Sequence, residues 1–269
     1  MDRYTVFGNP ISQSKSPQIH QQFAEQTQQS IHYDRTLAEP DNFAEAVTQF
    51  RLAGGCGANV TAPFKQQAFA LCQQLTERAR RAEAVNTLYW QADGSLLGDN
   101  TDGIGLVTDL IRLGVALADQ RILILGAGGA VRGILAPLLA QQPQRIVIAN
   151  RTESTAQQLA NDFADLGSVQ GVGLQQIVGE FDLVLNGTAA SLTGELPSLP
   201  KIALSPQAVS YDLSYGTGLT PFQQWGQAQG LNANYNGIGM LVEQAAASFQ
   251  LWRQIQPDTA TVLSRLIAE

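Results

Sequence analysis

Apolar positions in this chain fall into two rhythms. Short unbroken runs read as buried strands, and stretches with a hydrophobic residue every three or four positions read as helices. Tyr4–Phe7 is the first such run and leads into Gly8-Asn9-Pro10. Ile19, Phe23 and Ala24 then share a helical face behind Ser16, suited to the N-cap, and Pro17, suited to the first turn. Phe43, Ala46, Val47 and Phe50 repeat the helical spacing and stop at Gly54-Gly55. Gly57–Val60 predicts a short strand, a helix is expected through Phe69 and Leu75, and Val85–Trp90 predicts a strand closed by the turn Asp93-Gly94.

The sharpest boundary is the polar cluster Asp99-Asn100-Thr101-Asp102-Gly103. Beyond it, Ile104–Leu113 predicts an amphipathic helix stopped by Gly114. Strands are expected near Arg121–Leu125, Arg145–Ala149, Phe181–Leu185 and Ala208–Leu213, with helical stretches between the first three. That rhythm predicts a parallel sheet. Tyr235–Gly239 is a second glycine-bearing turn. Met240–Trp252 is a strongly apolar helix which, coming after the sheet, is placed to pack back on the first part of the chain.

Length and composition sharpen this picture. With 269 residues, 44% of them hydrophobic, the chain can fill two domains with a cleft. Its net charge of −7, from 16 basic and 23 acidic side chains, opposes a nucleic-acid partner, so an anionic ligand must be held by local lysine, arginine or backbone N–H groups. No apolar run is long enough for a membrane and no leader is evident, which points to the cytoplasm. Two cysteines, Cys56 and Cys72, and two histidines, His20 and His32, give little material for a disulfide scaffold or a metal centre, and no metal is expected.

Candidate chemistry begins at Arg121–Leu125, a near-continuous apolar strand followed at once by Gly126-Ala127-Gly128-Gly129-Ala130. A tight turn at the first glycine and close backbone approach at the second would let a pyrophosphate rest on the N–H groups opening the next helix. The expected third glycine is Val131, so Gly129 and Gly133 are the candidates for relieving the helix–sheet contact. The competing reading is a glycine turn in some other parallel α/β protein. At the end of the second strand stands Asn150-Arg151-Thr152, where a site for NAD would carry a carboxylate. Arg151 suits the 2′-phosphate of NADP, against the alternative of a solvent-facing arginine, and Glu153 nearby is an unhelpful charge.

The remaining polar residues cluster at Ser14 and Ser16, Asn59 to Lys65, Asn86-Thr87, Asn100–Asp102, Tyr215, and Asn236 to Gln244. Reducing a ketone needs a proton donor at its oxygen, a role Lys65 can fill with Asp102 holding it; the bland alternatives are a surface lysine and a helix-capping aspartate. Taken in order, these segments resemble the shikimate dehydrogenase family over nearly the whole chain. The resemblance is carried by Gly8-Asn9-Pro10-Ile11 with Ser14-Lys15-Ser16-Pro17, Asn59-Val60-Thr61-Ala62-Pro63-Phe64-Lys65, Ala84-Val85-Asn86-Thr87, Gly98–Gly103, the glycine turn, Asn150-Arg151-Thr152, Asp212 with Tyr215, and Gly237–Val242 with Gln244.

The resemblance implies an α/β fold of two domains: an N-terminal α/β catalytic domain (1–101), a Rossmann-type NADP-binding domain with a parallel sheet (102–236), and C-terminal helices (237–269) returning to the first. It implies reversible NADPH-dependent reduction of 3-dehydroshikimate to shikimate, as a monomer or homodimer. Lys65 and Asp102 are the implied catalytic pair. Ser14, Ser16, Asn59, Thr61, Asn86, Tyr215 and Gln244 are the implied substrate binders. Gly126, Ala127, Gly128, Gly129, Ala130, Asn150, Arg151, Thr152, Gly237 and Met240 are the implied cofactor binders. His20 reads as a packing residue. The sequence departs from the family at Glu83, where glycine is usual and positive φ would strain the loop holding Asn86; at Asn236, usually aspartate; and at Thr155, often basic. The last departure predicts a reduced NADP preference. Three alternatives remain: a dual quinate/shikimate enzyme with relaxed nucleotide preference, which the paired serines disfavour; a catalytically weak regulatory homologue; and a dehydrogenase acting on folate.

Overall fold

The computed structural model describes residues 1–188, 196, 198–216 and 218–268. The chain divides into two compact units: Met1–Gly105 with Leu241–Glu269, and Leu106–Met240. The division falls inside two helices, α5 (Asp102–Arg112) and α9 (Ile238–Arg253), rather than in the polar turns preceding them.

The first unit is built on a six-stranded mixed sheet. Its strands are β1 (Asp2–Gly8), β2 (Ile31–Leu37), β3 (Gly55–Val60), β4 (Gln74–Leu75), β5 (Thr87–Trp90) and β6 (Leu96–Asp99), in the order β2-β1-β3-β5-β6-β4. β1 runs parallel to β2 and β3, and β5 is antiparallel to β3 and β6. Helix α1 (Ser16–Thr27) buries Ile19, His20, Phe23 and Ala24, while α2 (Phe43–Leu52) and α3 (Lys65–Leu71) add Phe43, Val47 and Ala68 to the core containing Phe7, Val60 and Leu88. The helix expected through Leu75 ends at Leu71, because Gln74 and Leu75 leave it to pair with β6. A short helix, α4 (Glu77–Ala82), follows. The return of α9 has a local cause. Trp252 Nε1 donates to the Leu88 carbonyl at 3.0 Å, over a gap that only glycine leaves open: a Cβ at Gly57 would lie 2.6 Å from that nitrogen. The final helix, α10 (Thr259–Ala268), buries Val262, Leu263 and Leu266.

The second unit is wholly parallel. Its strands β7 (Arg121–Leu125), β8 (Arg145–Asn150), β9 (Val169–Gly173), β10 (Glu180–Asn186), β11 (Ala203–Asp212) and β12 (Ala233–Tyr235) stand in the order β12-β11-β10-β7-β8-β9. Alternate residues of β7 enter different cores, Ile122 and Ile124 one face and Leu123 and Leu125 the other. Burial on both faces is why this strand reads as an unbroken apolar run. Helices α6 (Gly129–Leu139), α7 (Glu153–Asp162) and α8 (Pro221–Ala228) cover the sheet. Buried Asp109 on α5 accepts from Tyr211 Oη at 2.7 Å and from Arg112, and the same Tyr211 oxygen accepts from the Met240 N–H at 3.3 Å. A Cβ at Gly239 would lie 2.1 Å from the Asp109 carboxylate, so glycine is required where α9 starts.

Among the described residues no helix is long and apolar enough to cross a membrane, and no group of three or more acidic, cysteine or histidine side chains is placed to hold a metal. Burial pushes the Cys72 thiol up to about 12, which leaves it a poor nucleophile.

Candidate active site

In the first unit the end of β3 leads through Thr61 to α3, whose first residue is Lys65, and the end of β6 leads to Asp102 at the start of α5. These two strand ends, on either side of β5, place Lys65 Nζ 2.6 Å from Asp102 Oδ2, with the lysine 22% and the aspartate 9% exposed. The other carboxylate oxygen accepts from Asn86 Nδ2 at 2.9 Å. The orientation of the Asn86 amide is fixed by chemistry: its Oδ1 faces the Thr101 N–H at 2.9 Å, a group that can only donate. Its nitrogen therefore faces Asp102, and it also reaches Thr101 Oγ1 at 2.9 Å and Gln244 Oε1 at 3.3 Å. Gln244 in turn donates to the Leu241 carbonyl at 2.8 Å. Lys65, Asn86, Asp102 and Gln244 thus form one network.

Beneath it lies a second, fully buried layer. Asn59 Nδ2 faces the Asn86 carbonyl at 3.1 Å, Thr87 Oγ1 at 3.2 Å and Ser248 Oγ at 3.0 Å, and its Oδ1 accepts from Tyr33 Oη at 2.7 Å. Both ends of that amide are engaged, as are both ends of the Asn86 amide above it. Thr87 donates to Asn86 Oδ1 at 2.8 Å, and Ser248 stands 2.8 Å from Thr87 and 3.3 Å from Thr101. Ser248 escaped sequence reasoning, yet it lies one turn after Gln244 on the buried side of a mostly apolar helix. The argument that a buried polar group needs a partner applies to it equally.

Ser14 and Ser16 sit together before α1, Ser14 Oγ donating to Ser16 Oγ at 3.2 Å and accepting the Ser16 N–H at 3.3 Å. Ser16 is not the cap of α1: Lys15 takes that position, and Ser16 is the first helical residue. The Thr61 hydroxyl has no hydrogen-bond partner among the described residues, while its N–H is held by the Phe7 carbonyl at 2.9 Å. Tyr215 belongs to the second unit, in the loop after β11, and burial raises the pKa of its phenol, which keeps it a neutral donor. Glu83 follows α4 in the left-handed region at φ 48°, and three residues on the chain reaches Asn86. Thr76 Oγ1 and Arg78 Nε, both at 2.6 Å, hold the buried Asp99 carboxylate and so brace the loop leading to Asp102.

In the second unit Gly126 turns at φ 100° and donates to the Ala149 carbonyl at 2.8 Å. Gly128 opens α6 with no side-chain cap, and a Cβ at Gly128 or Gly129 would meet nothing within 4 Å. The first-turn N–H groups of α6 are therefore open to an anion, with the positive helix end behind them. Gly129 does not relieve a helix–sheet contact as expected; that role falls to Gly187 after β10, where a Cβ would lie 2.5 Å from Val131 Cγ2. Val131 is accommodated where a third glycine is usual because the segment after β10 supplies one opposite it. Asn150 Nδ2 donates to the Thr152 carbonyl at 3.0 Å, shaping the turn that exposes Arg151 and Thr152. The Arg151 guanidinium has no polar partner among the described residues. The Glu153 carboxylate accepts from Gln157 at 2.8 Å and Gln176 at 2.9 Å, so both its oxygens are occupied by amides. Gly237 approaches the Leu213 carbonyl so closely that a Cβ would lie 2.2 Å away, and Asn236 Oδ1 caps α9 at the Ile238 N–H, 3.2 Å. Met240 is 9% exposed and packs in the core, which limits it to a small contact with any ligand.

A cavity of about 620 Å³ in this unit is lined by Gln120, Asp182, Pro206 and Tyr235 among others, at the amino ends of β7, β10 and β11. It holds none of the residues above. Parallel sheets of this kind bind ligands at the carboxyl ends of their strands, where Gly126 and Arg151 lie.

Three family models cover most of the chain: a shikimate dehydrogenase substrate binding domain over residues 6–88, shikimate / quinate 5-dehydrogenase over 110–194, and a shikimate 5′-dehydrogenase C-terminal domain over 237–267. The chain is 54% identical to the shikimate dehydrogenase (NADP(+)) of Cellvibrio japonicus, with 98% of this chain and 96% of the relative covered. It is 55% identical to that of Aeromonas hydrophila, at 99% and 97%. Among solved structures it is similar to an Ael1 enzyme from Pseudomonas putida (TM-score 0.91, 44% identity, 99% and 98% covered). It is also similar to the shikimate 5-dehydrogenase of Thermus thermophilus in complex with NADP(H) and shikimate (TM-score 0.87, 29% identity, 98% of each chain). The ordered motifs, the geometry within each unit and these likenesses agree: the chain belongs to the shikimate dehydrogenase family.

Proposed function

We propose that the protein interconverts 3-dehydroshikimate and shikimate with NADP(H), binding the substrate on its first unit and the nucleotide on its second. The observation that carries the chemistry is the Lys65–Asp102 pair at 2.6 Å, braced by Asn86 and Gln244. The nucleotide, when bound, supplies the hydride for the carbonyl carbon. Gly126–Ala130 and the open first turn of α6 suit its pyrophosphate, and Arg151, free of competing acids, suits a 2′-phosphate. Asn150 and Thr152 shape that turn, and Gly237 lets the backbone pass close to Leu213.

Lys65 is the proton source at the ketone oxygen. An ammonium has three donors, one of which lies on Asp102, so the rest remain for the substrate. Asp102 accepts on both oxygens, from Lys65 and from Asn86, and so orients the lysine. In the oxidative direction the same nitrogen receives the proton of the alcohol. Ser14 and Ser16 are the donors for the substrate carboxylate, Thr61 offers an unspent hydroxyl, and Gln244 and Asn86 meet the ring hydroxyls. Asn59 is a positioning residue. A spectrophotometric assay of NADP reduction with shikimate and with quinate tests this reading. Turnover with shikimate well above quinate is expected; no turnover with either would refute it.

A further inference from the structure

The loop carrying Ser14 and Ser16 is held from outside by one cation. Arg35, on β2, donates through Nε at 2.8 Å and through a terminal guanidinium nitrogen at 2.5 Å to a single acceptor, the main-chain carbonyl of Ser14. The Ser14 N–H donates to the Ile11 carbonyl at 3.1 Å, and its hydroxyl is shared with Ser16. Every polar group of Ser14 is thus fixed, and Arg35 fixes the one that no turn or neighbouring side chain satisfies. Among the described residues Arg35 is paired with no carboxylate; the adjacent Asp34 engages His32 at 2.7 Å instead. A guanidinium spent on a carbonyl keeps its full charge. In a chain with 23 acidic and 16 basic side chains, that charge makes this loop a local exception to a field that repels anions.

We propose that Arg35 is a positioning and specificity-determining residue for the substrate carboxylate, anchoring the Ser14–Ser16 hydroxyl pair through the Ser14 carbonyl and drawing the anion to it. The proposal rests on the reading of Ser14 and Ser16 as carboxylate donors. Two variants separate the components: Arg35→Lys keeps the charge but replaces a planar two-donor fork by a single ammonium, and Arg35→Ala removes both. The side chain is exposed, so neither variant threatens the core.

The test is steady-state kinetics of the full chain with shikimate and NADP at low and high ionic strength. Arg35→Ala is expected to raise KM for shikimate by about tenfold, the scale of one charge-assisted hydrogen bond, with KM for NADP unmoved and Arg35→Lys recovering part of the loss. Salt should raise the wild-type KM for shikimate more steeply than that of Arg35→Ala, because the variant has one charge fewer to screen. A KM for shikimate within about twofold of wild type in Arg35→Ala, or an equal loss toward NADP, overturns the proposal. Ser14→Ala run in parallel locates a failure. If it leaves KM for shikimate unchanged, the carboxylate reading of the serines falls and Arg35 with it; if it raises KM while Arg35→Ala does not, only the Arg35 assignment falls.

Discussion

His20 gives the account its most quantitative prediction about stability. Its ring is fully buried and stacked on Tyr33 with centroids 4.2 Å apart and planes 7° apart, with Trp252 at 5.3 Å and Phe23 at 5.9 Å. Neither ring nitrogen has a hydrogen-bond partner, although Asn59 lies close enough to oppose the shift slightly, and burial lowers the pKa from 6.5 to about 3. Above pH 6.5 the imidazole is neutral in both the folded and the unfolded chain, and full stability is present. Below it the unfolded chain binds a proton that the folded one refuses. Stability then falls by about 1.4 kcal/mol per pH unit until the folded pKa near 3 is reached. At pH 5 the loss is about 2 kcal/mol, a large share of a typical folding free energy. His20→Leu removes the titrating group while keeping an apolar side chain of comparable bulk. Urea unfolding followed by tryptophan fluorescence, with Trp90 and Trp252 reporting on the first unit, measures both proteins at pH 7.5 and pH 5. The wild type should lose about 2 kcal/mol more than the variant between the two conditions. Parallel losses would show that the ring is protonated or hydrated in the folded state and would refute the reasoning.

Three further outcomes follow from single positions. Glu83→Gly should raise stability by about 1 kcal/mol, the cost of a side chain held in the left-handed region, with kcat unchanged; a lower melting temperature would contradict the strain at φ 48°. Gly187→Ala should destabilise by about 1–3 kcal/mol through overpacking against Val131, and Gly187→Ala with Val131→Ala should recover most of it; no recovery in thermal melts would place the clash elsewhere. NADP should be preferred over NAD in kcat/KM, and Arg151→Ala should erase about tenfold or more of that preference; equal wild-type use of the two nucleotides would contradict the single-arginine phosphate site.

Much of this was legible in the sequence, for identifiable reasons. β7, α6 and β8 announce themselves because a strand buried on both faces must be apolar throughout and the turn after it needs Gly126 at φ 100°. β2 escaped because it is an edge strand: only Ile31 and Tyr33 point inward, among exposed His32, Asp34 and Arg35. β12 is three half-buried residues long and gives no periodic signal. The candidate residues of the first unit were found by type and order, but their depth was not. Asn59 and Asn86 look alike in sequence and both are buried, yet Asn59 bonds to Tyr33 and Ser248 while Asn86 reaches Asp102 and Gln244. Ser16 looked like a helix cap and is not one. The compensation of Val131 by Gly187, more than fifty residues away, depends on strand order, which no local pattern carries.

The central claim is that Lys65, oriented by Asp102, moves the proton at the substrate oxygen. Turnover of 3-dehydroshikimate with NADPH by Lys65→Ala, measured beside nucleotide binding by fluorescence titration, tests it most directly. The expected result is a fall in kcat of about a hundredfold or more, the usual scale for losing a general acid, with NADPH affinity at the wild-type value. Wild-type turnover in Lys65→Ala would contradict it.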